Sequence, residues 1–131
     1  MQKEGTTVII SLGANTCPDQ HLDTAVELTD QILTTIYHTK RIWTAPIAIC
    51  SQEMFRNMLV FGRTTLPLDT LKKHLQEIEK TCGRAPADKA NGIVKMDADI
   101  LLYGDEKLHV NDWERPYVKE LMKELRTEIK E

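Results

Sequence analysis

The order in which the apolar residues change period is what most constrains the fold of this chain. Thr6 to Leu12 (TTVIISL) is apolar and β-branched, and Gly13-Ala14-Asn15 stops it, which predicts a buried strand ending in a turn. Pro18 then stands where a helix tolerates a missing N–H. Leu22, Ala25, Val26, Ile32, Leu33 and Ile36 recur at helical spacing and predict an amphipathic helix over about residues 19–36. His38 to Thr44 reads as a second strand, Ala45 to Glu53 as a loop around Pro46, and Met54 to Thr64 as a third strand. Leu68, Leu71, Leu75, Ile78 and Cys82 mark a second helix closed by Gly83. A polar loop over Ala85 to Val94 leads to a fourth strand, Met96 to Gly104. From about Asp112, the residues Val118, Leu121, Met122, Leu125 and Ile129 predict a last amphipathic helix.

That succession is an α+β, ferredoxin-like split βαβ (βαββαβ) arrangement. It implies an antiparallel sheet with helices on one face, an extra C-terminal helix, and the other face left for a ligand. Residues 1–131 are expected to form a single domain, long enough to bury a core without disulfides or a structural metal. The fold by itself decides no function. Seventeen basic against 20 acidic side chains, a net charge of −3, argue against a general nucleic-acid binder. No apolar stretch approaches the ~20 residues of a membrane span. Met1-Gln2-Lys3-Glu4-Gly5 lacks an apolar signal core, so a cytoplasmic location is expected. Cys17, Cys50 and Cys82 form no CxxC pair and read as reduced thiols. His21, His38, His74 and His109 are scattered and read as surface or packing residues.

The sharpest chemical signal is Asp97-Ala98-Asp99. On a strand the two carboxylates share a face, roughly 7 Å apart, while Met96, Ala98, Ile100 and Leu102 form an apolar opposite face. Leu101 and Tyr103 follow the aspartates on their own face. Two carboxylates suit Mg²⁺, which takes one or two of them together with substrate phosphates. The alternative is an acidic pair that faces water at a strand end. On the second helix, Gln76 and Glu79 lie side by side next to the apolar stripe, placed to bind a polar ligand or to be a solvated flank. Arg84, Lys89 and Lys95 then give a basic loop leading into the diacid, as a metal–triphosphate site requires. Phe55 and Asn57 share a face, so an aromatic and an amide stand ready for a flat heterocycle; core Phe and turn Asn are the plainer reading.

Taken together and in order, these segments resemble the 6-hydroxymethyl-7,8-dihydropterin pyrophosphokinase family of folate biosynthesis. The resemblance covers about residues 6–121. It rests on Ser11-Leu12-Gly13-Ala14-Asn15, Thr44-Ala45-Pro46, Gln52-x-x-Phe55-x-Asn57, Gln76-x-x-Glu79-x-x-x-Gly83-Arg84 and Asp97-x-Asp99-Ile100-Leu101-Leu102-Tyr103-Gly104. It implies transfer of pyrophosphate from ATP to the pterin hydroxymethyl group, giving AMP. Asp97 and Asp99 would hold two Mg²⁺ ions. Gln76, Glu79, Arg84, Lys95, Ile100 and Arg115 would line the ATP side. Thr44, Ala45, Ile47, Phe55, Asn57 and Tyr117 would hold the pterin. Where the family carries an aromatic followed by G-P-R, this chain has Asn91-Gly92-Ile93-Val94, and the family's second Arg after Arg84 is Pro86 here. Between Gly104 and Arg115 the chain is several residues short and lacks the family's P-H segment, which places a His near the phosphates. Each basic group lost and not replaced would cost about 2–4 kcal/mol of transition-state stabilisation. The alternative is therefore a catalytically weak or inactive relative that binds a pterin or nucleotide.

Overall fold

A computed structural model describes residues 5–45 and 54–129. Among the described residues, nine strands and α-helices follow one another: β1 (Thr6–Ala14), α1 (Pro18–Ile32), β2 (Thr34–His38), β3 (Ile42–Thr44), β4 (Phe55–Thr64), α2 (Leu68–Thr81), β5 (Asp97–Tyr103), β6 (Glu106–Lys107) and α3 (Pro116–Ile129). Short 3₁₀ turns cover Pro86–Asn91 and Val110–Glu114. All strand pairings are antiparallel, in the order β2-β4-β1-β5-β6, with β3 also on β4. This is the expected α+β split βαβ topology. Strand β1, buried along most of its length, is central and is paired along both edges.

Strand alternation divides the core in two. Val8, Ile10, Leu12 and Ala14 face α1 and α2, where Leu22, Ala25, Leu71, Leu75 and Ile78 close over them. Ile9, Leu59 and Leu101 face the other way and are covered by Val118, Leu121, Met122 and Leu125 of α3. The sheet face expected to be left for a ligand is thus half occupied by the C-terminal helix. Among the described residues, the end of the sheet carrying Gly13, Asn57 and Asp97 is the part left uncovered on that side. No described helix is long and apolar enough to cross a membrane.

Three local expectations are corrected. The first helix stops at Ile32, not 36: Leu33 turns extended, and Thr34-Thr35-Ile36-Tyr37 pairs with β4. β-branched and aromatic side chains fit a pleated edge better than another helical turn. The helical spacing of Ile36 was coincidental; it sits at a bulge between Thr35 and Tyr37 and is 42% exposed. The second strand is two short ones, β2 and β3, separated by the buried Thr39, whose N–H and Oγ1 bond the backbone of Leu59. On β5, Ile10 pairs with Ile100 but Ile9 pairs with Leu102, which leaves Leu101 as an extra, bulged residue. The bulge reverses the alternation. Leu102 joins the α3 side and Tyr103 the α1/α2 side, opposite to the expectation for both.

Candidate active site

The open end of the sheet is floored by one cross-strand row. Gly13 pairs with Asn57 on one side and with Asp97 on the other. At a strand spacing of about 4.8 Å, the backbones of Asn57 and Asp97 stand about 10 Å apart, and the Asn57 amide leans over Gly13 between them. A Cβ at Gly13 would run into the Asn57 side-chain oxygen, so the row requires glycine there. One step deeper, Ser11 lies between Leu59 and Asp99. Thr44, Phe55, Arg84, Lys95, Asp112, Arg115 and Tyr117 complete the wall of a cleft of about 590 Å³, a size suited to a small-molecule ligand.

At one end of the cleft the groups suit a flat polar ring. Asn57 Nδ2 donates to Thr44 Oγ1 at 2.6 Å, which fixes the amide's orientation. Phe55 and Tyr117 supply two aromatic walls from different elements, β4 and α3. Burial pushes the Tyr117 phenol up, and a hydrogen bond with Ser11 opposes the shift.

The other end is charged. Arg84 Nη1 lies 3.0 Å from Glu79 Oε1 and 3.0 Å from Asp97 Oδ1. Glu79 Oε2 accepts the Ala98 N–H at 2.9 Å, which ties α2 to the diacid strand. Burial pushes the Glu79 carboxyl up, with Asp97 and Asp99 adding to the shift and the Ala98 N–H and Arg84 opposing it. Burial also pushes the Asp99 carboxyl up. The Asp97 and Asp112 charges reinforce this, while His109 and Arg84 work against it. His109 Nε2 stands 3.8 Å from Asp99 Oδ1. Two half-exposed carboxylates crowded onto one strand end form a donor set that a hard cation would relieve, so Asp97 and Asp99 fit Mg²⁺ as part of its oxygen shell.

The loop between α2 and β5 is fastened to this floor. Asn15, buried at the end of β1, donates through Nδ2 to Gly92 O at 2.8 Å and accepts the Val94 N–H at 2.7 Å. Its own N–H bonds Val94 O at 2.8 Å. Asp88 accepts the Ala85 N–H, and Lys95 reaches Gly83 O and Asp88.

Of the residues expected at the site, Thr44, Phe55, Asn57, Arg84, Lys95, Asp97, Asp99, Arg115 and Tyr117 line the cleft together, and Glu79 joins through Arg84. Gln76 is exposed on α2 and does not line it. The Ile100 side chain is buried against α1 and α2, which leaves only its backbone for a ligand. Ala45 is exposed at the end of β3 and does not line the cleft. Ile47 lies outside the described residues.

The sequence reading missed Asn15, His109 and Asp112 as site residues. The Gly104-Asp105 turn, with Gly104 at φ 66, carried the signal for His109. It sends the chain back along β5, so a residue about as far beyond the turn as Asp99 is before it returns to the diacid. His109 therefore stands at the charged end of the cleft, beside Asp99, without the expected P-H pair.

Comparison with known proteins finds one family and a relative. The family model described as 7,8-dihydro-6-hydroxymethylpterin-pyrophosphokinase matches residues 9–127. A folate synthesis bifunctional protein of Arabidopsis thaliana is 31% identical over 121 residues, which are 85% of this chain and 25% of that protein. The chain thus spans about a quarter of the length of that relative. With the motif order, the sheet topology and the family match all in agreement, this chain belongs to the 7,8-dihydro-6-hydroxymethylpterin-pyrophosphokinase family.

Proposed function

We propose that this chain transfers the pyrophosphoryl group of ATP to the hydroxymethyl group of 6-hydroxymethyl-7,8-dihydropterin, a step of folate biosynthesis. The observation that carries the reading is the row Asn57–Gly13–Asp97, which sets an oriented amide and a carboxylate pair on one floor, their backbones about 10 Å apart. The pterin ring lies between Phe55 and Tyr117, and Asn57 reads its edge with a fixed amide. Its hydroxymethyl group then points past Gly13 toward the acids. The hydroxyl oxygen bonds to the β-phosphorus, the bond from that phosphorus to the α,β-bridging oxygen breaks, and AMP leaves. The hydroxyl proton passes to solvent. Asp97 and Asp99 are the residues that would hold the two Mg²⁺ ions implied by the family, which when bound neutralise triphosphate charge. Arg84, Lys95 and Arg115 bind and orient the phosphates. No covalent nucleophile is needed, because positioning and charge neutralisation supply the rate.

The test is purified protein with MgATP and the hydroxymethyl pterin, with AMP and pterin diphosphate measured. AMP formation that requires the pterin is expected, and its absence at high protein concentration would sink the enzymatic reading. Asp97→Ala should abolish turnover, and retained activity would refute the metal role.

A specific observation favours a second reading, a binding protein without turnover. Each described cation lining the cleft is already matched by an acid: Arg84 by Glu79 and Asp97, Lys95 by Asp88, and Arg115 by Asp112. A triphosphate would have to displace these partners. Calorimetric titration with the pterin and with a non-hydrolysable MgATP analogue separates binding from catalysis.

A further inference from the structure

After Asp99, the chain must leave the sheet, turn, and return with His109 and Arg115 to the same end of the cleft. One side chain holds that return. Trp113 Nε1 donates to Leu101 O at 3.1 Å and to Leu108 O at 3.0 Å. Leu101 is the bulged residue of β5, buried and without a partner of its own on β1. Its carbonyl also accepts the Leu108 N–H at 2.9 Å. The indole therefore bridges the bulge two residues past Asp99 to the residue just before His109. The ring packs with the α3 cluster, and the Lys107 ammonium sits 4.6 Å above its centroid. His109 adopts a left-handed conformation at φ 51, a costly backbone state that its surroundings must hold, and this turns its ring toward Asp99. Trp113 itself does not line the cleft.

We infer that Trp113 is a positioning residue: its indole N–H locks the 108–115 segment onto the β5 bulge and so sets His109 and Arg115 at the nucleotide end of the cleft. The inference rests on the proposed pterin pyrophosphokinase reading for the identity of the nucleotide. The hydrogen-bonded bridge stands apart from that reading and can be measured without it.

Trp113→Phe keeps an aromatic ring and removes the N–H. In the full chain, amide exchange at Leu108 should rise about tenfold, the effect of losing roughly one hydrogen bond, while Leu59 and Val60 in β4 stay protected. KM for ATP should rise about tenfold with the pterin KM unchanged. A merely structural defect would instead lower kcat through loss of folded protein and leave both KM values alone. Lys107→Met, a milder change that keeps the fold, should shift Leu108 exchange and the ATP KM in the same direction by about two- to threefold. Unchanged Leu108 exchange in Trp113→Phe overturns the inference, as does faster exchange with an unchanged ATP KM. Wild-type protein that forms no AMP and binds no MgATP analogue would overturn the functional reading instead, and the bridge would then be decided by exchange alone.

Discussion

Replacing Asn15 by alanine tests whether one buried amide fastens the loop over the cleft. At least three hydrogen bonds are lost: the Val94 N–H to Oδ1 at 2.7 Å, Nδ2 to Gly92 O at 2.8 Å, and Thr16 Oγ1 to Oδ1 at 3.0 Å. The bond from the Asn15 N–H to Val94 O belongs to the main chain and survives. At about 1 kcal/mol net for each side-chain bond, the loss is about 2–3 kcal/mol, weighted toward the two contacts that leave backbone groups without partners. For a chain of this size that corresponds to a fall in Tm of about 8–12 °C. In urea, the midpoint should fall by about 1 M with the slope unchanged. Amide exchange should localise the effect: Ile93 and Val94 become exchangeable while Ile10 and Leu59 remain protected. Asn15→Asp is the diagnostic control. It keeps an acceptor for the Val94 N–H but sets a second oxygen against Gly92 O, so it should lose at least as much stability. A loss below about 0.5 kcal/mol in Asn15→Ala, or unchanged exchange at Val94, would refute the assignment of Asn15 as the loop's anchor.

Other perturbations probe separate parts of the molecule. Gly13→Ala puts a Cβ against the Asn57 side-chain oxygen and should weaken pterin binding about tenfold or more while MgATP binding changes little; calorimetry that shows equal losses for both ligands would contradict the division of the cleft. The Tyr37 phenol is pushed up to about 12, first by the hydrogen bond it donates to Glu124. Because the raised value favours the protonated, folded form, that contact should contribute fully below pH 10 and be lost as pH climbs through about 12. Tyrosinate absorbance should show a late step whose amplitude falls in Tyr37→Phe while the buried Tyr117 still titrates late, and an unchanged amplitude would refute the Tyr37 assignment. Glu79→Ala removes the acceptor of the Ala98 N–H and the partner of Arg84, and should cost about 1–3 kcal/mol in urea unfolding; a neutral result would mean that α2 and β5 are held by apolar packing alone.

Most of the fold was legible because period and punctuation are local. The TTVIISL run and its Gly-Ala-Asn stop, the stripe of Leu71, Leu75 and Ile78, and the alternation around Asp97 and Asp99 each name an element without reference to the rest of the chain. The errors fell where two local signals competed. Ile36 continues a helical spacing, but Thr34-Thr35-Ile36-Tyr37 has the shape of a strand, and pairing with β4 settled the competition. Leu102 and Tyr103 were assigned to the wrong faces because a bulge at Leu101 is invisible in a pattern that assumes strict alternation.

The sequence by itself determined the order of elements, the diacid on one strand face, and the motif series that marks the family, because these depend on spacing along one segment. Tertiary structure decided what those residues meet. It placed α3 over half of the open sheet face, so the site shrank to the end where Gly13 leaves room. It brought Asn15 to the backbone of residues 92 and 94, seventy-seven and seventy-nine positions away. It returned His109 to Asp99 through a hairpin turn and a bulge. Contacts of that kind are fixed by sheet register and helix docking, which arise only when distant segments bury their apolar faces together.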